Sequence, residues 1–267
     1  MQIITSKDNQ YLKMARAVRE KKGRLAHGCF LAEGLRLAEE ALDQGVEPLY
    51  ALFCESALDD PRIQALARRL EGLDAPAARI SDSLFAAVSA TGHPQGVALL
   101  APIPPSVLPR LLPEQPCFVY ADDIRDPGNL GTLIRTAHAA NAGGLWLSPE
   151  SADIYNPKVL RAAMGACFKL PLYRAESPDQ ALALCRELRL AVYVAAAQGR
   201  DIREAKLALD QPHLWVLGSE AAGAAPFWLA EADQVLRLPM RPDAESLNVA
   251  TAGAILLYYS YFFHPGK

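Results

Sequence analysis

A cluster of prolines near the middle of the chain limits the possible folds more than any other feature of the sequence. Five prolines fall between residues 102 and 113, and proline interrupts both helix interiors and central strands. A single core element therefore cannot continue through this segment. The chain of 267 residues is long enough for two modest domains. We predict one domain over residues 1–105, a semi-rigid Pro-rich linker at 106–116, and a second domain over residues 117–267.

Helix and strand patterns alternate on both sides of the prolines, which is typical of the α/β class. Before the prolines we predict strands at residues 29–31, 49–53 and 96–100, with helical patterns between them. After them, strongly apolar strand candidates lie at residues 117–121, 144–147, 190–196, 213–217 and 235–238. Helical patterns accompany these strands at residues 130–141, 157–164, 178–188 and 247–262. Apolar strands separated by helices indicate a parallel sheet that is covered on both faces.

The charge balance excludes one class of function and leaves another open. A net charge of -3 excludes a polybasic, histone-like binder, but it is compatible with nucleic acid bound by a local patch. Residues 1–24 hold seven Lys or Arg and two Asp or Glu, which is a net charge of +5. This segment either contacts phosphates or forms a solvated helix face, and charge alone does not separate the two.

The cysteine pattern indicates a reducing compartment. Five cysteines are scattered along the chain without a CxxC pair, and no HExxH motif occurs. Such a pattern is typical of reduced core cysteines and argues against a metal site. The N-terminus lacks the apolar run of a signal peptide, and the most apolar stretch, residues 252–263, is too short to span a bilayer. We therefore expect a cytoplasmic protein that binds neither metal nor membrane.

Polar residues are concentrated at three predicted strand ends of the second half, where open α/β sheets bind ligands. Neither GxxxxGK(S/T) nor a GxGxxG after a strand occurs. The residues concerned are, in chain order, Asn129 and Arg135, then Gly218 and Glu220, then Ser246 and Asn248. Each has an ordinary structural alternative. Asn129 and Ser246 stand where helix N-caps belong, Arg135 could lie on the surface, and the glycines could form a simple turn.

Taken together, these segments resemble a known family. They are similar to the three motifs of the SpoU (TrmH-type) RNA ribose methyltransferases, a family of the SPOUT class. The first motif resembles Asn129-Leu130-Gly131 with Arg135-Thr136-Ala137, and the second resembles Gly218-Ser219-Glu220 with Gly223. The third resembles Ser246-Leu247-Asn248-Val249. The likeness extends over roughly residues 116–263 and includes residues 156–166. Residues 30–36 and 91–97 are similar to the RNA substrate-binding domain that often precedes SpoU domains. One departure is Ala250, where relatives often carry a small hydroxyl residue. We expect little consequence, because alanine also packs closely.

The resemblance implies a fold, a cofactor and an oligomeric state. The C-terminal domain would be a parallel-sheet SPOUT domain with a trefoil knot, and the smaller α/β domain before it would be L30e-like. S-adenosylmethionine would be held at Gly218, Leu238 and Leu247. Members of the family are generally homodimers, with the site near the subunit interface.

The resemblance also implies an activity and a set of catalytic residues. That set is Arg135, Asn129, Glu220, Ser246 and Asn248. The expected function is RNA 2′-O-ribose methylation, on ribosomal (23S) RNA in preference to tRNA. The alternatives are a tRNA 2′-O-methyltransferase and a non-catalytic RNA-binding member of the same fold. Because a guanidinium stays protonated in proteins, we interpret Arg135 as a stabiliser of the developing alkoxide or an anchor for a phosphate, not as the base.

Overall fold

The computed structural model describes residues 1–106 and 116–263, so most of the predicted linker lies outside the described residues. The described chain divides into two compact units. The first holds residues 1–105 together with 153–168, and the second holds residues 106–152 together with those from 169 onward. No helix among the described residues is long and apolar enough to cross a bilayer.

Among the described residues, the first unit is built on a five-stranded mixed sheet. Its strands are β1 (Gln2–Ile4), β2 (Cys29–Glu33), β3 (Tyr50–Cys54), β4 (Ala77–Ile80) and β5 (Val97–Pro102), in the spatial order β1-β4-β3-β5-β2. β1, β4 and β3 are parallel, whereas β5 pairs antiparallel with β3 and β2. The helices are α1 (Gln10–Ala17), α2 (Lys21–His27), α3 (Leu35–Asp43), α4 (Pro61–Gly72) and α5 (Asp82–Val88). The three predicted strands are present as β2, β3 and β5. β1 and β4 are too short to give a clear alternating pattern in the sequence.

Within residues 116–263, the second unit is built on a six-stranded sheet whose neighbouring strands are all parallel. The strands are β6 (Cys117–Ala121), β7 (Gly144–Leu147), β8 (Leu172–Arg174), β9 (Ala191–Asp201), β10 (His213–Leu217) and β11 (Gln234–Arg237), in the order β11-β9-β10-β6-β7-β8. The helices of this unit are α6 (Pro127–Ala139), α8 (Pro178–Glu187), α9 (Pro226–Glu231) and α10 (Val249–Phe262). The predicted parallel sheet is confirmed. β8 and α9 were absent from the prediction because both are short.

Residues 153–168 pack with the first unit, although the sequence predicts them as part of the second domain. They include α7 (Pro157–Ala163). The guanidinium of Arg24 donates to a carboxylate oxygen of Asp153 from Nε at 2.7 Å and from Nη2 at 2.6 Å. The rings of Phe30 and Tyr155 lie 4.8 Å apart. These partners are more than a hundred residues away along the chain, so no local pattern could indicate them.

The carboxyl ends of β6 and β10 meet at one edge of the parallel sheet. The two strands are parallel neighbours, with Leu217 opposite Ala121. The chain moves outward from β6 through β7 to β8, and then returns to β9 and β10 on the other side of β6. Such a change of direction leaves a crevice outside the strand ends, where α/β proteins bind ligands. α10 packs against α6 so closely that a Cβ on Gly253 would lie 2.5 Å from Leu133.

Candidate active site

α6 begins before its predicted start, and this changes the role of Asn129. The N-cap is Asp126, whose carboxylate accepts the Asn129 N–H at 2.8 Å, and Pro127 occupies the first turn. The alternative in which Asn129 is the N-cap of this helix is therefore wrong. Asp followed by Pro is itself a helix-start signal, because Asp caps well and proline fits the first helical position. The side chain of Asn129 is consequently available for other contacts.

The loop after β10 is closed by its own backbone. Ser219 and Gly223 pair as an antiparallel bridge with N···O distances of 3.1 and 2.9 Å. Gly223 has a φ of +70°, in the left-handed region that favours glycine. A Cβ added to Gly218 would lie 1.9 Å from the backbone nitrogen of Ala224. Gly218 is therefore needed for the loop to close, and Glu220 lies inside the closed loop.

α10 is capped by Asn248. Its Oδ1 accepts the N–H of Ala250 at 2.9 Å and that of Thr251 at 3.2 Å, and the helix begins at Val249. The alternative in which Ser246 caps this helix is therefore wrong. Ala250 is 4% exposed, so the residue at which this sequence departs from the family pattern is closely packed.

One side chain from each of these three segments enters a single hydrogen-bonded chain. Asn129 Nδ2 donates to Glu220 Oε1 at 2.5 Å, and Asn248 Nδ2 donates to Asn129 Oδ1 at 2.9 Å. The partners are 91 and 119 residues apart in sequence. Because both the oxygen and the nitrogen of the Asn129 amide are used, its orientation is determined. The chain ends in the exposed carboxylate of Glu220, which places a negative charge beside the ends of β6 and β10.

The other predicted site residues do not join this hydrogen-bonded chain. Arg135 is exposed on α6 and makes no hydrogen bond or ion pair in the part of the chain that the structure describes. Residues six apart on a helix differ by about 240° in direction, so Arg135 and Asn129 leave α6 on different sides. Ser246 and Leu247 are exposed in the segment before α10, and Leu238 directly follows β11, partly exposed. Glu220 bonds Asn129 and makes no hydrogen bond or ion pair with Arg135 among the described residues.

Comparison with known proteins identifies the family. Residues 116–258, more than half of the chain, match the SpoU rRNA Methylase family. The chain belongs to this family. Residues 9–99 match the MRM3-like substrate binding domain, so the resemblance of both halves is confirmed.

Similar proteins span the length of this SpoU-family chain. The 23S rRNA (guanosine(2553)-2'-O)-methyltransferase RlmP of Bacillus subtilis is 34% identical to it, over 97% of this chain and 99% of its own. The 23S rRNA (uridine(2479)-2'-O)-methyltransferase of Streptomyces viridochromogenes is 29% identical, over 96% and 90%. The crystal structure of an AdoMet-bound rRNA methyltransferase from Sinorhizobium meliloti has a TM-score of 0.85 and 29% identity, and the match covers 97% of each chain.

In this SpoU-family chain, the loop between β6 and α6 is held by residues that the sequence did not single out. Ser148 Oγ accepts the N–H of Asp123 at 2.9 Å, and Ser151 Oγ accepts that of Ile124 at 3.1 Å. The guanidinium of Arg174 in β8 donates to four backbone carbonyls between residues 148 and 152, at 2.7–3.1 Å. Arg174 thereby fixes the segment that carries both hydroxyls. No motif signals this, because the contacts are to backbone atoms.

The carboxylate of Asp122 ties together the loops after β6 and β10. It is buried and accepts the N–H of Ala225 at 2.7 Å. Burial raises the pKa of Asp122, while the N–H of Ala225 acts in the opposite direction. Among the described residues, no group of three or more His, Cys, Asp or Glu side chains could hold a metal ion. The polar groups of the site are the amides of Asn129 and Asn248, the carboxylates of Asp122 and Glu220, and the guanidinium of Arg135.

Proposed function

We propose that this chain is an S-adenosylmethionine-dependent methyltransferase that methylates a ribose 2′-hydroxyl of ribosomal RNA. The hydrogen-bonded chain of Asn248, Asn129 and Glu220 carries this proposal, because it joins all three motif segments at the switch point of the sheet. The names of the two full-length relatives specify 23S rRNA, which supports that substrate over tRNA. A non-catalytic RNA-binding member is the other alternative. The presence of both Asn129 and Arg135 argues against it, because a chain that had lost activity would not need to keep them.

The residues at this edge suit S-adenosylmethionine. Gly218 lets the backbone of its loop close upon itself, which leaves peptide groups at the edge in place of a side chain. Leu247 is 39% exposed and Leu238 is partly exposed, so both offer apolar surface for a ligand to cover. The carboxylate of Glu220 suits a cation. When bound, the cofactor supplies an electrophilic methyl group on its sulfonium centre. We assign Gly218, Leu238 and Leu247 to cofactor binding.

The polar residues position the ribose and stabilise charge. Asn248 orients the amide of Asn129, and Asn129 holds the target ribose in line for a direct displacement, in which positioning supplies much of the acceleration. Arg135 stabilises the negative charge that develops on the 2′-oxygen, or holds an adjacent phosphate, because its guanidinium stays protonated. Ser246 contributes an exposed hydroxyl before α10.

We further propose that the segment between β11 and α10 completes a trefoil knot. β11 lies at one edge of the sheet, whereas α10 packs on α6, which follows β6 in the middle of the sheet. The connecting residues 238–248 must therefore cross the carboxyl ends of β9 and β10, past the closed loop after β10. This crossing supports a knotted path.

We propose that the protein acts as a homodimer through α10. Ile255, Tyr258 and Phe262 are 45%, 38% and 76% exposed, and their spacing of three and four residues puts them on one face of the helix. Phe263 adds a side chain that is 54% exposed. A second copy that covers this apolar face would remove it from water. Sedimentation equilibrium should give twice the chain mass.

We also propose a cytoplasmic location and a two-domain organisation divided at residues 106–116. All five cysteines are free and buried, which supports a reducing compartment. The division into units at residue 105 supports the domain limits, with residues 153–168 as the segment that packs with the first unit.

The decisive experiment is a map of ribose methylation in RNA from a strain that lacks this protein. We expect one 2′-O-methyl group to disappear from 23S rRNA, and to return with the wild-type chain but not with Asn129→Ala. Calorimetry should show micromolar binding of S-adenosylmethionine or its demethylated product. A group missing from tRNA would favour the tRNA alternative, and unchanged RNA together with retained RNA binding would favour the non-catalytic one.

A further inference from the structure

A basic cavity lies between β9 and β11, outside the site described above. Its volume is about 480 Å³, and it is lined by Arg200, Lys206, Gln234 and Val235, all in the second unit. We call it the β9–β11 pocket. Gln234 Nε2 donates to the backbone carbonyl of Lys206 at 3.1 Å, which holds the segment after β9 against β11.

Strand register places Arg200, one of the residues that line the β9–β11 pocket, at the same edge of the sheet as the site. Leu217, the last residue of β10, lies opposite Ala195, yet β9 continues to Asp201. Arg200 pairs with Leu236 of β11 beyond this point. Because all these strands are parallel, Arg200 lies at the carboxyl edge, whereas Gln234 and Val235 begin β11 and lie opposite Tyr193 and Val194, just before that edge. Neighbouring strands are about 4.8 Å apart, so β11 lies roughly 15 Å from β6 across three strand spacings.

In the part of the chain that the structure describes, the buried carboxylate near the pocket is engaged by other cations. Asp201 is buried, and its Oδ2 forms ion pairs with Nη2 of Arg203 at 2.9 Å and with Nη2 of Arg237 at 3.4 Å. The hydrogen bonds from Arg203 and its charge lower the pKa of Asp201, so this carboxylate stays ionised and its partners stay engaged. Arg200 donates to the backbone carbonyl of Glu204, and neither Arg200 nor Lys206 has a carboxylate partner among the described residues. Asp201, next to Arg200 in sequence, is engaged by Arg203 and Arg237, and the acidic residue closest in sequence to Lys206 is the exposed Glu204.

The surrounding segments keep an excess of positive charge. Residues 200–206 and 237–241 hold five Lys or Arg and two Asp or Glu, in a chain whose net charge is -3, and Arg241 is paired with Asp243 at 3.2 Å. A local excess of this kind, against a negative background, attracts phosphate. Guanidinium and ammonium groups are the usual donors to phosphate oxygens.

We propose that the β9–β11 pocket binds a backbone phosphate of the RNA strand beside the target nucleotide, through Arg200 and Lys206. This inference rests on the proposed function. Contacts to phosphates fix the register of a nucleic acid on a protein and supply most of the salt-dependent affinity. A phosphate held roughly 15 Å from β6 orients the strand and brings its ribose to Asn129.

The test compares two pairs of substitutions that each remove two positive charges. Arg200→Gln with Lys206→Gln alters the pocket. Arg186→Gln with Arg189→Gln is the matched control, because both residues precede β9 and lie at the opposite, amino edge of the sheet. Arg186 is exposed and paired with Glu231 at 2.8 Å, so its loss should not disturb the fold. Thermal melting checks that all variants are folded.

Binding of 23S rRNA, purified from cells that lack this protein, is measured between about 50 and 200 mM salt. The pocket variant should reduce the slope of log affinity against log salt by about 0.7 to 0.9, since that is the contribution of one lost phosphate contact. Lys206→Gln alone should give about half that change. The control pair should leave the slope unaltered, and calorimetric affinity for S-adenosylmethionine should be the same in all variants.

Two results would overturn the inference. One is a slope in the pocket variant equal to that of the control pair. The other is competition by inorganic phosphate beyond that of chloride at equal ionic strength, with the rRNA slope unaltered, which would make the pocket a site for free phosphate. Failure of the proposed function can be distinguished from failure of this inference. A wild-type chain that transfers no methyl group to RNA would refute the activity. The comparison of salt slopes would still show whether the pocket binds a phosphate of the RNA.

Discussion

Asn248 makes two kinds of contact that a single substitution can separate. Its Oδ1 accepts from the N–H groups of Ala250 and Thr251 at 2.9 and 3.2 Å, and its Nδ2 donates to Asn129 Oδ1 at 2.9 Å. Aspartate keeps the acceptors and removes the donor, whereas alanine removes both. We predict that Asn248→Asp preserves the cap of α10 and breaks the link to Asn129.

The magnitudes follow from these contacts. Asn and Asp are about equally good N-caps, and replacement by alanine costs about 1 kcal/mol. In a unit of roughly 150 residues that lowers Tm by about 2–4 °C, so Asn248→Ala should melt earlier and Asn248→Asp should melt with the wild type. The lost donor is worth about 0.5–1.5 kcal/mol. The new carboxylate also competes with Glu220 for Asn129 Nδ2. We therefore expect methyl transfer to fall about 10-fold in Asn248→Asp.

The assay is single-turnover transfer of labelled methyl to 23S rRNA, beside thermal melting of the same samples. Asn9 supplies the control, because it caps α1 by accepting the N–H of Tyr11 at 2.9 Å and lies in the first unit. Asn9→Asp should change neither rate nor Tm. A wild-type rate in Asn248→Asp would refute the role of the link. Equal losses of Tm in Asn248→Asp and Asn248→Ala would show that the donated bond, not the cap, stabilises α10.

Three further predictions concern other parts of the chain. Arg135→Ala should keep fold and cofactor affinity, because the side chain is exposed, but should lower single-turnover transfer at least about 100-fold. Arg135→Lys should restore part of it, and full activity in the alanine variant would remove Arg135 from the mechanism. Deletion of residues 1–105 should cause aggregation in gel filtration, because residues 153–168 lose the partners they pack against; a soluble, folded fragment would contradict this. Burial lowers the pKa of His213 to about 4 from 6.5. As pH falls from about 6.5 toward 4, the unfolded chain therefore binds a proton at this imidazole that the folded chain does not. The free energy of unfolding should be at its full value above about pH 6.5 and should fall by about 3 kcal/mol over this range. Melting from neutral to acidic pH should show this loss in the wild type and a smaller one in His213→Gln, and equal pH slopes would contradict it.

The buried strands of the second unit are the elements that the sequence predicts best. β6, β7 and β10 have the predicted bounds, because each is a continuous apolar run between turn residues. β9 is longer than predicted and ends at Asp201. Its polar end, residues 198–201, is a strand only because β11 pairs with it. Pairing with a distant segment leaves no local pattern.

The helix starts at the site show a second limit of local reasoning. In the sequence, Asn129 and Ser246 stand where the N-caps of α6 and α10 belong, which was the structural alternative to a role in the site. The structure uses Asp126 and Asn248. A cap is chosen by where the backbone turns into the helix, and this depends on the strand before it and on the packing of α6 against α10.

The sequence by itself determined the α/β class, the parallel sheet, the family and the segments that carry polar residues, because periodicity and short motifs are local properties. Only the tertiary structure decided that Asn129 bonds both Glu220 and Asn248, that Arg135 stays outside that chain, and that residues 153–168 pack with the first unit. These facts depend on contacts between residues far apart in sequence. Such contacts form only when whole strands and helices have packed, since no single segment contains both partners.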